Sequence, residues 1–178
     1  MDRAIVHYAH AFIGRVPVLD GVAIFFASYF PYLVASLFIV YVYHKSAFSG
    51  ASGLLLKQHR LQFCLATLLA VLLASGIIAP IIHYLYGRAR PFVAFGWESL
   101  FAHDTDPSFP SNHATLMFTL AASMWHIHKK WGYWFFAAAA IVGIGRVYSL
   151  VHYPTDIICG ALIGICAVAI VNRIARFT

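Results

Sequence analysis

Three short clusters of polar residues stand out in a chain that is otherwise strongly apolar, and each cluster falls at the end of an apolar run. They read His83-x6-Arg90-Pro91, Pro110-Ser111-Asn112-His113 and Arg146-x5-His152-x3-Asp156. Ionisable groups at membrane depth are costly, so each cluster is a functional candidate. Because the clusters lie far apart in the sequence, only the fold can bring them together.

The residue types in these clusters are those that phosphoryl transfer requires. Arg90 and Arg146 offer planar forks of N–H donors that suit phosphate oxygens. Ser111 lies near the N-cap of an expected helix, whose free backbone N–H groups can bind an anion. Of the two histidines, His113 and His152, one can attack phosphorus while the other protonates the departing oxygen.

Asp156 follows His152 by four residues, which is close enough for its carboxylate to accept a hydrogen bond from one imidazole nitrogen. Such a bond would fix the tautomer of the ring and stabilise the imidazolium. The three clusters contain neither a group of hard oxygen ligands for Mg²⁺ nor a spacing typical of a Zn²⁺ site. The sequence therefore predicts phosphoryl transfer with no metal and no cofactor.

Composition indicates where this chemistry takes place. Of the 178 residues, 62% are hydrophobic and 10% are charged, against about 25% charged in ordinary soluble domains. A soluble fold of this size could not bury so much apolar surface, because small domains keep a large part of their area exposed. We therefore predict an integral membrane protein with a single domain, residues 1–178.

The lengths of the apolar runs predict the number of membrane spans, because a hydrocarbon core of about 30 Å requires roughly 20 helical residues. Five runs qualify, at about 21–43, 61–86, 111–128, 131–151 and 157–172. The segment before them carries charges around short apolar clusters and predicts an amphipathic helix at the membrane surface. The expected fold class is an all-α membrane bundle of five transmembrane helices plus this N-terminal interfacial helix.

The net charge of +6 is segregated along the chain, because segments 44–60, 128–131 and 172–178 contain basic residues and no acidic ones. Five spans place these segments on one side, which the positive-inside rule assigns to the cytoplasm. The three polar clusters then share the opposite side. A nucleic-acid-binding face does not occur as short pieces between apolar runs, so we expect membrane lipids and no nucleic acid as partners.

The three clusters resemble the signature of the type-2 phosphatidic acid phosphatase superfamily, K-x6-R-P, P-S-G-H and S-R-x5-H-x3-D. His83 stands in place of the family's lysine, Asn112 in place of its glycine and Gly145 in place of its serine. The asparagine is compatible with a helical backbone at that position. Within the family, the chain is most similar to bacterial undecaprenyl-diphosphate phosphatases of the bacitracin-resistance type. The motifs span 83–156, and the helical layout extends the resemblance to the whole chain.

The resemblance implies a role for each site residue. His152 is expected to be the nucleophile, Asp156 its partner and His113 the general acid. By the same resemblance Arg90, Arg146 and Ser111 are expected to bind the substrate phosphate. His83 and Arg88 are further candidates for phosphate binding: His83 replaces the family's lysine, and Arg88 can supply the permanent charge that this replacement removes. The resemblance to the bacitracin-resistance type implies hydrolysis of undecaprenyl diphosphate to undecaprenyl phosphate and inorganic phosphate, and the expected role of His152 implies a phosphohistidine intermediate. The implied location is the periplasmic or extracytoplasmic face of the bacterial cytoplasmic (inner) membrane.

Two alternatives remain open at this point. The same chemistry can act on another lipid phosphate, such as phosphatidylglycerol phosphate, phosphatidic acid or a lipid A phosphate, because prenyl and acyl tails present similar surfaces to apolar helices. A non-enzymatic lipid or anion transporter would need polar residues continuing across the membrane, but the spans are almost wholly apolar.

The loop before the second cluster is polar, and its role is open. Its charged or titratable residues either gate access of the substrate or only keep the loop solvated; they are Glu98, His103, Asp104 and Asp106.

Overall fold

The computed structural model describes residues 1–44 and 53–175, except for the side chain of residue 175. Positions 45–52 and 176–178, which belong to two of the basic segments named above, lie outside the described residues. All regular secondary structure in the described part is helical. The prediction of an all-α chain is therefore confirmed.

The helices follow one another in the order that the apolar runs predict. They are α1 (Asp2–Phe12), α2 (Pro17–Ile24), α3 (Phe30–Tyr43), α4 (Gly53–Val71), α5 (Ala79–Tyr86), α6 (Pro91–Phe95), α7 (Asn112–Ile127), α8 (Lys129–Tyr148) and α9 (Pro154–Ala175). Wide π-helical turns at Phe25–Tyr29 and Leu72–Ile78 join α2 to α3 and α4 to α5. Each π-helical turn is followed by an α-helix, α3 or α5, that has a proline in its first turn. Proline has no backbone N–H group, so it interrupts the regular helical hydrogen bonds.

Three helical segments of the described chain are long and apolar enough to cross a membrane, namely Pro17–Tyr43, Gly53–Phe95 and Pro154–Ile174. They correspond to the predicted spans 21–43, 61–86 and 157–172, but each begins earlier. The difference arises because charged residues such as Asp20 and Lys57 continue the helix beyond its apolar part. α7 and α8 lie at the predicted spans 111–128 and 131–151, but they are not among these three segments, so the predicted count of five transmembrane helices stays a prediction.

α7 is the central helix, packed against both α8 and α9 and buried along most of its length. The contact with α9 is close because glycines face α7. A Cβ atom at Gly160 would lie 2.8 Å from the carbonyl oxygen of Ser111, and one at Gly164 would lie 2.6 Å from that of Thr115. Small residues at this spacing allow two helix backbones to approach closely. The approach places the first turn of α7 beside the first turn of α9.

α1 lies against α8 and α9 and is mostly exposed. Its one buried residue, Val6, packs against Leu150 and Tyr153, which belong to the turn between α8 and α9. The amphipathic N-terminal helix expected from the sequence is therefore present. It contacts the same turn that carries His152.

The α7–α9 contact predicts a specific effect of adding one methyl group. Gly164→Ala should destabilise the protein by about 1–3 kcal/mol, as overpacking does, because the new Cβ atom would meet the backbone of Thr115 and Thr119. The matched control is Gly21→Ala in α2, where a Cβ atom has nothing within 4 Å and alanine favours the helix by up to about 1 kcal/mol. Thermal unfolding of the purified protein in detergent measures both. Equal stability of Gly164→Ala and the wild type would contradict the close packing.

Candidate active site

His152 occupies the turn between α8 and α9 and is 2% exposed. Its Nδ1 lies 2.9 Å from the Ser108 carbonyl oxygen. Its Nε2 lies 3.3 Å from Nη1 of Arg90 and 3.5 Å from Nη2 of Arg146. A carbonyl can only accept a hydrogen bond and a guanidinium can only donate one. The proton therefore resides on Nδ1, and Nε2 presents a lone pair between the two arginines.

The environment of His152 keeps this imidazole neutral. Burial, together with the positive charges of Arg146 and Arg90, lowers its pKa well below the ordinary value of 6.5. Since the pKa is lowered, the ring gains a proton only when the pH falls through that lower value and stays neutral at any higher pH. The unprotonated ring is the nucleophilic form of histidine.

Asp156 is fully buried beside His152, but the hydrogen bond expected between the two is absent. Its Oδ2 lies 3.6 Å from Nδ1 of the imidazole, beyond hydrogen-bonding distance, and instead accepts the backbone N–H of Tyr153 at 2.8 Å. Asp156 occupies the third position of α9, from which a carboxylate reaches back to the N-cap amide. The Ser108 carbonyl, and not Asp156 as the sequence predicted, accepts the hydrogen bond from Nδ1 of His152.

Arg90 and Arg146 are each only 3% exposed, and both reach His152. Arg90 Nη1 also donates to the Val151 carbonyl at 2.9 Å. Arg146 Nη1 lies 3.5 Å from the Ala27 carbonyl. That carbonyl is open to an outside donor because Pro31, four residues later, lacks the amide that would bond it in a regular α-helix.

The loop between α6 and α7 covers both arginines. Asp106 accepts two hydrogen bonds from Arg90, one through its carboxylate at 2.9 Å and one through its backbone carbonyl at 3.0 Å. His103 Nε2 lies 2.7 Å from Nη2 of Arg146, and burial together with the charge of Arg90 lowers the pKa of this imidazole. The neutral imidazole of His103 therefore accepts a hydrogen bond from Arg146. Of the four polar loop residues, these two reach the site.

The second cluster forms the start of α7, as expected. Ser111 is its N-cap and accepts the backbone N–H of Ala114 at 3.4 Å, while the Ser111 amide donates to the Asp156 carbonyl at 3.1 Å. Asn112 is helical, which explains why a residue other than glycine is tolerated there. His113 lies close enough to interact electrostatically with Arg146 and His152. Within the described residues, its ring has no hydrogen-bond partner and is free to meet a substrate.

His83 and Arg88 occupy supporting places. His83 Nε2 donates to the Pro110 carbonyl at 2.7 Å, just before α7 begins. Arg88 donates to Asp2 of α1 and to Asp156 of α9, both at 2.7 Å, and its guanidinium lies 3.8 Å from the centre of the Tyr153 ring. Both carboxylates compete with any phosphate for Arg88. The geometry therefore gives no support to the prediction that Arg88 binds phosphate.

Sequence reasoning missed the Ser108 carbonyl and left the role of Asp106 and His103 open. A backbone carbonyl carries no signal in residue type, so nothing in the sequence distinguishes Ser108. Residue type alone does not show that Asp106 and His103 reach the arginines, because this depends on the path that the loop takes. The arrangement can hold a phosphate between two guanidinium groups with the lone pair of His152 Nε2 facing the phosphorus atom.

The ion pair between Asp106 and Arg90 predicts competition with bound phosphate. Asp106→Asn should lower the inhibition constant of orthovanadate about two- to fivefold, the range expected for losing an ion-pair partner that is 50% exposed. Asp104→Asn is the control, since it makes the same charge change on the same loop without touching either arginine through its side chain in the described structure. Weaker vanadate inhibition in Asp106→Asn would show that Asp106 orients Arg90 for phosphate.

Comparison with known proteins agrees with this geometry. Residues 64–177 match the PAP2 superfamily, a range that includes all three clusters. The chain is 32% identical over 149 residues to the bacitracin transport permease protein BcrC of Bacillus licheniformis, covering 83% of this chain and 68% of that protein. It is 32% identical over 95 residues to the undecaprenyl-diphosphatase BcrC of Bacillus subtilis (strain 168), covering 51% of this chain and 49% of that protein.

Among solved structures, the crystal structure of Aquifex aeolicus LpxE superposes with a TM-score of 0.66 and 28% identity, covering 90% of this chain and 88% of that one. The likeness therefore extends beyond the motifs to the helical framework that positions them. The family match covers more than half of the chain and includes His113, His152 and both buried arginines. The chain therefore belongs to the PAP2 superfamily, as the three clusters predicted, and is a lipid phosphatase.

Proposed function

We propose that the chain hydrolyses undecaprenyl diphosphate to undecaprenyl phosphate and inorganic phosphate through a phosphohistidine at His152. The observation that carries the proposal is the unprotonated Nε2 of His152, held 3.3 Å from Arg90 and 3.5 Å from Arg146. The likeness to an enzyme named undecaprenyl-diphosphatase supports the choice of substrate. Membership in a phosphatase family favours an enzyme over the transporter alternative.

In the first half-reaction the terminal phosphate binds between Arg90 and Arg146 and displaces the Asp106 carboxylate. His152 Nε2 attacks phosphorus, the P–N bond forms, and the bond to the bridging oxygen breaks with its electron pair going to the leaving undecaprenyl phosphate, which takes a proton from His113. The ring becomes positively charged. Its Nδ1 proton remains bonded to the Ser108 carbonyl, and the Asp156 carboxylate at 3.6 Å stabilises the new charge.

In the second half-reaction a water molecule attacks the phosphohistidine. His113 takes a proton from that water, which is the reverse of its role as the acid in the first step. The P–N bond breaks and its electron pair returns to Nε2, so that phosphate leaves and His152 is neutral again. The first amides of α7 lie at a helix N-terminus and help to hold the phosphate oxygens.

We propose that Asp156, Arg88 and His83 hold or stabilise the reacting groups and do not themselves react. Asp156 places a negative charge beside the imidazolium, and Arg88 holds the carboxylate of Asp156 through its 2.7 Å hydrogen bond. His83 fixes the Pro110 carbonyl and with it the start of α7. Loss of any of these contacts would displace a reacting group rather than remove one.

We propose five membrane crossings, by α2 with α3, α4 with α5, α7, α8 and α9. The site then lies at one end of the bundle, and Lys57, Lys129, Lys130 and Arg173 lie at the other. By the positive-inside rule the site faces the periplasmic or extracytoplasmic side of the inner membrane. A lipid diphosphate produced on that face could enter without crossing the bilayer.

The direct test of the substrate is phosphate release by the purified protein from a panel of lipids. Undecaprenyl diphosphate should give the highest kcat/KM, compared with phosphatidylglycerol phosphate, phosphatidic acid and a lipid A phosphate. His152→Ala provides the background rate for each lipid. A higher kcat/KM on any phosphate monoester of the panel would contradict the assignment of the substrate while leaving the chemistry intact.

The role of His113 predicts a dependence on the leaving group. A diphosphate expels a phosphate monoester, which needs little protonation, whereas a monoester expels an alkoxide, which needs much. General acid catalysis contributes about 10²–10⁴-fold, so His113→Ala should lose rate in that range on phosphatidic acid and clearly less on undecaprenyl diphosphate. Steady-state kcat for both lipids measures the contrast. Equal losses would mean that His113 only binds phosphate.

A further inference from the structure

Asp2, at the start of α1, is joined to the active site by charged groups, although it lies outside the 64–177 range that matches the family. Its Oδ2 accepts a hydrogen bond from Nη2 of Arg88 at 2.7 Å. The other terminal nitrogen of Arg88, Nη1, donates to Oδ1 of Asp156, also at 2.7 Å. Arg88 therefore bridges two carboxylates, one on the N-terminal helix and one beside the imidazole of His152.

The contact between Asp2 and the start of α9 has further bonds besides the one from Arg88. Oδ1 of Asp2 accepts the backbone N–H of Thr155 at 3.3 Å. Oδ2 accepts the hydroxyl of Thr155, whose oxygen in turn accepts from Arg88 at 2.8 Å. The amide of Thr155 belongs to the first turn of a helix, where backbone N–H groups lack intrahelical partners. Val6, one turn further along α1, packs against Tyr153, so α1 is held to this turn at two points.

The position of the Asp156 carboxylate depends on its partners. Its Oδ2 accepts the backbone N–H of Tyr153 at 2.8 Å, and its Oδ1 is bonded to Arg88. The guanidinium of Arg88 lies 3.8 Å from the centre of the Tyr153 ring, and the bond to Asp2 holds its outer side. Asp2 thus fixes Arg88, and Arg88 fixes Asp156.

The charges of this network bear on the chemical step. Nδ1 of His152 lies 3.6 Å from Oδ2 of Asp156, and the ring becomes positive in the proposed function, on which this inference rests. A new positive charge is stabilised by negative charge close to it. Arg88 alone would cancel the charge of Asp156. Asp2 cancels the charge of Arg88 in turn, so the three groups together keep a net negative charge beside the imidazole.

We infer that Asp2 is a positioning residue for the chemical step, because through Arg88 it keeps the Asp156 carboxylate in place and its charge effective at His152. α1 is thereby part of the framework of the active site. Asp2 touches no reacting group in this arrangement. Loss of its charge should therefore slow the step that creates the imidazolium and leave the binding of the lipid unchanged.

Asp2→Asn tests the inference, because it removes the negative charge and keeps the shape of the side chain. Both kcat and kcat/KM for undecaprenyl diphosphate should fall about tenfold at unchanged KM, as expected for an interaction made only in the transition state and within the range of coupling in one ion-pair network. Asp2→Glu, which restores the charge, should recover most of the loss.

The matched control is Asp20→Asn. Asp20 is another carboxylate that accepts two hydrogen bonds, one from the Tyr148 hydroxyl and one from the Gly14 amide, both at 2.9 Å. Neither partner belongs to the network at Arg88. This variant makes the same charge change and should keep the kcat of the wild type. An equal fall of kcat in Asp2→Asn and Asp20→Asn, or in neither, would overturn the positioning role.

Two inhibitors separate this role from a general distortion of the site. Orthovanadate bonded to Nε2 of His152 makes the imidazole positive, whereas inorganic phosphate binds the arginines without that bond. Asp2→Asn should therefore raise the inhibition constant of vanadate about tenfold, in parallel with the loss of kcat, and leave that of phosphate unchanged. Equal weakening of both inhibitors would show that Asp2 only maintains the structure.

A double-mutant cycle checks that Asp2 acts through Arg88. In an Arg88→Gln background, Asp2→Asn should change kcat by less than about twofold, because residues of one network are not additive. Additive losses would overturn the inference. If the wild type does not hydrolyse undecaprenyl diphosphate, the proposed function fails, and the same cycle on the lipid phosphate that it does hydrolyse still decides the role of Asp2.

Discussion

Two buried guanidinium groups beside a neutral imidazole are the constraint on which the rest of the structure depends. Arg90 and Arg146 are each 3% exposed, and an unpaired charge in such a place is strongly unfavourable. Arg90 is bonded by the Val151 carbonyl and by Asp106. Arg146 is bonded by His103, but its Nε is buried and has no hydrogen-bond partner within the described residues. The π-helical turn before Pro31 serves the same purpose, because it leaves the Ala27 carbonyl within 3.5 Å of Arg146.

The same two positive charges prepare the nucleophile. They oppose protonation of His152 and so keep the lone pair of Nε2 available, while the Ser108 carbonyl holds the proton on Nδ1. In the proposed mechanism, a doubly charged phosphate reverses this balance, because it neutralises the arginines at the moment when the imidazole becomes positive. Electrostatic stabilisation arranged in advance of the reaction is commonly the largest contribution to enzymatic rate. Close packing of α7 on α9 at Gly160 and Gly164 keeps the groups in register.

The sequence predicted the helical class, the order of the helices and the convergence of the three clusters, because these depend on apolar periodicity and on residue types with a narrow chemical use. It did not predict the hydrogen bonds within the site. The interval between His152 and Asp156 suggested a direct bond, but Asp156 instead caps α9 and binds Arg88. The partner of Nδ1 is the backbone carbonyl of Ser108, which any residue could have supplied. The early starts of α2, α4 and α9 were missed because hydropathy marks the apolar part of a helix and not its hydrogen-bonded ends.

The central claim is that His152 attacks phosphorus through Nε2. The most direct measurement is to quench the enzyme during turnover of undecaprenyl diphosphate under alkaline conditions and to locate the phosphoryl group by mass spectrometry and ³¹P NMR. The account predicts a single phosphohistidine at position 152, with phosphorus on Nε2, because Nδ1 carries the proton bonded to Ser108. Phosphorus on Nδ1 of His152, or on His113, would contradict it.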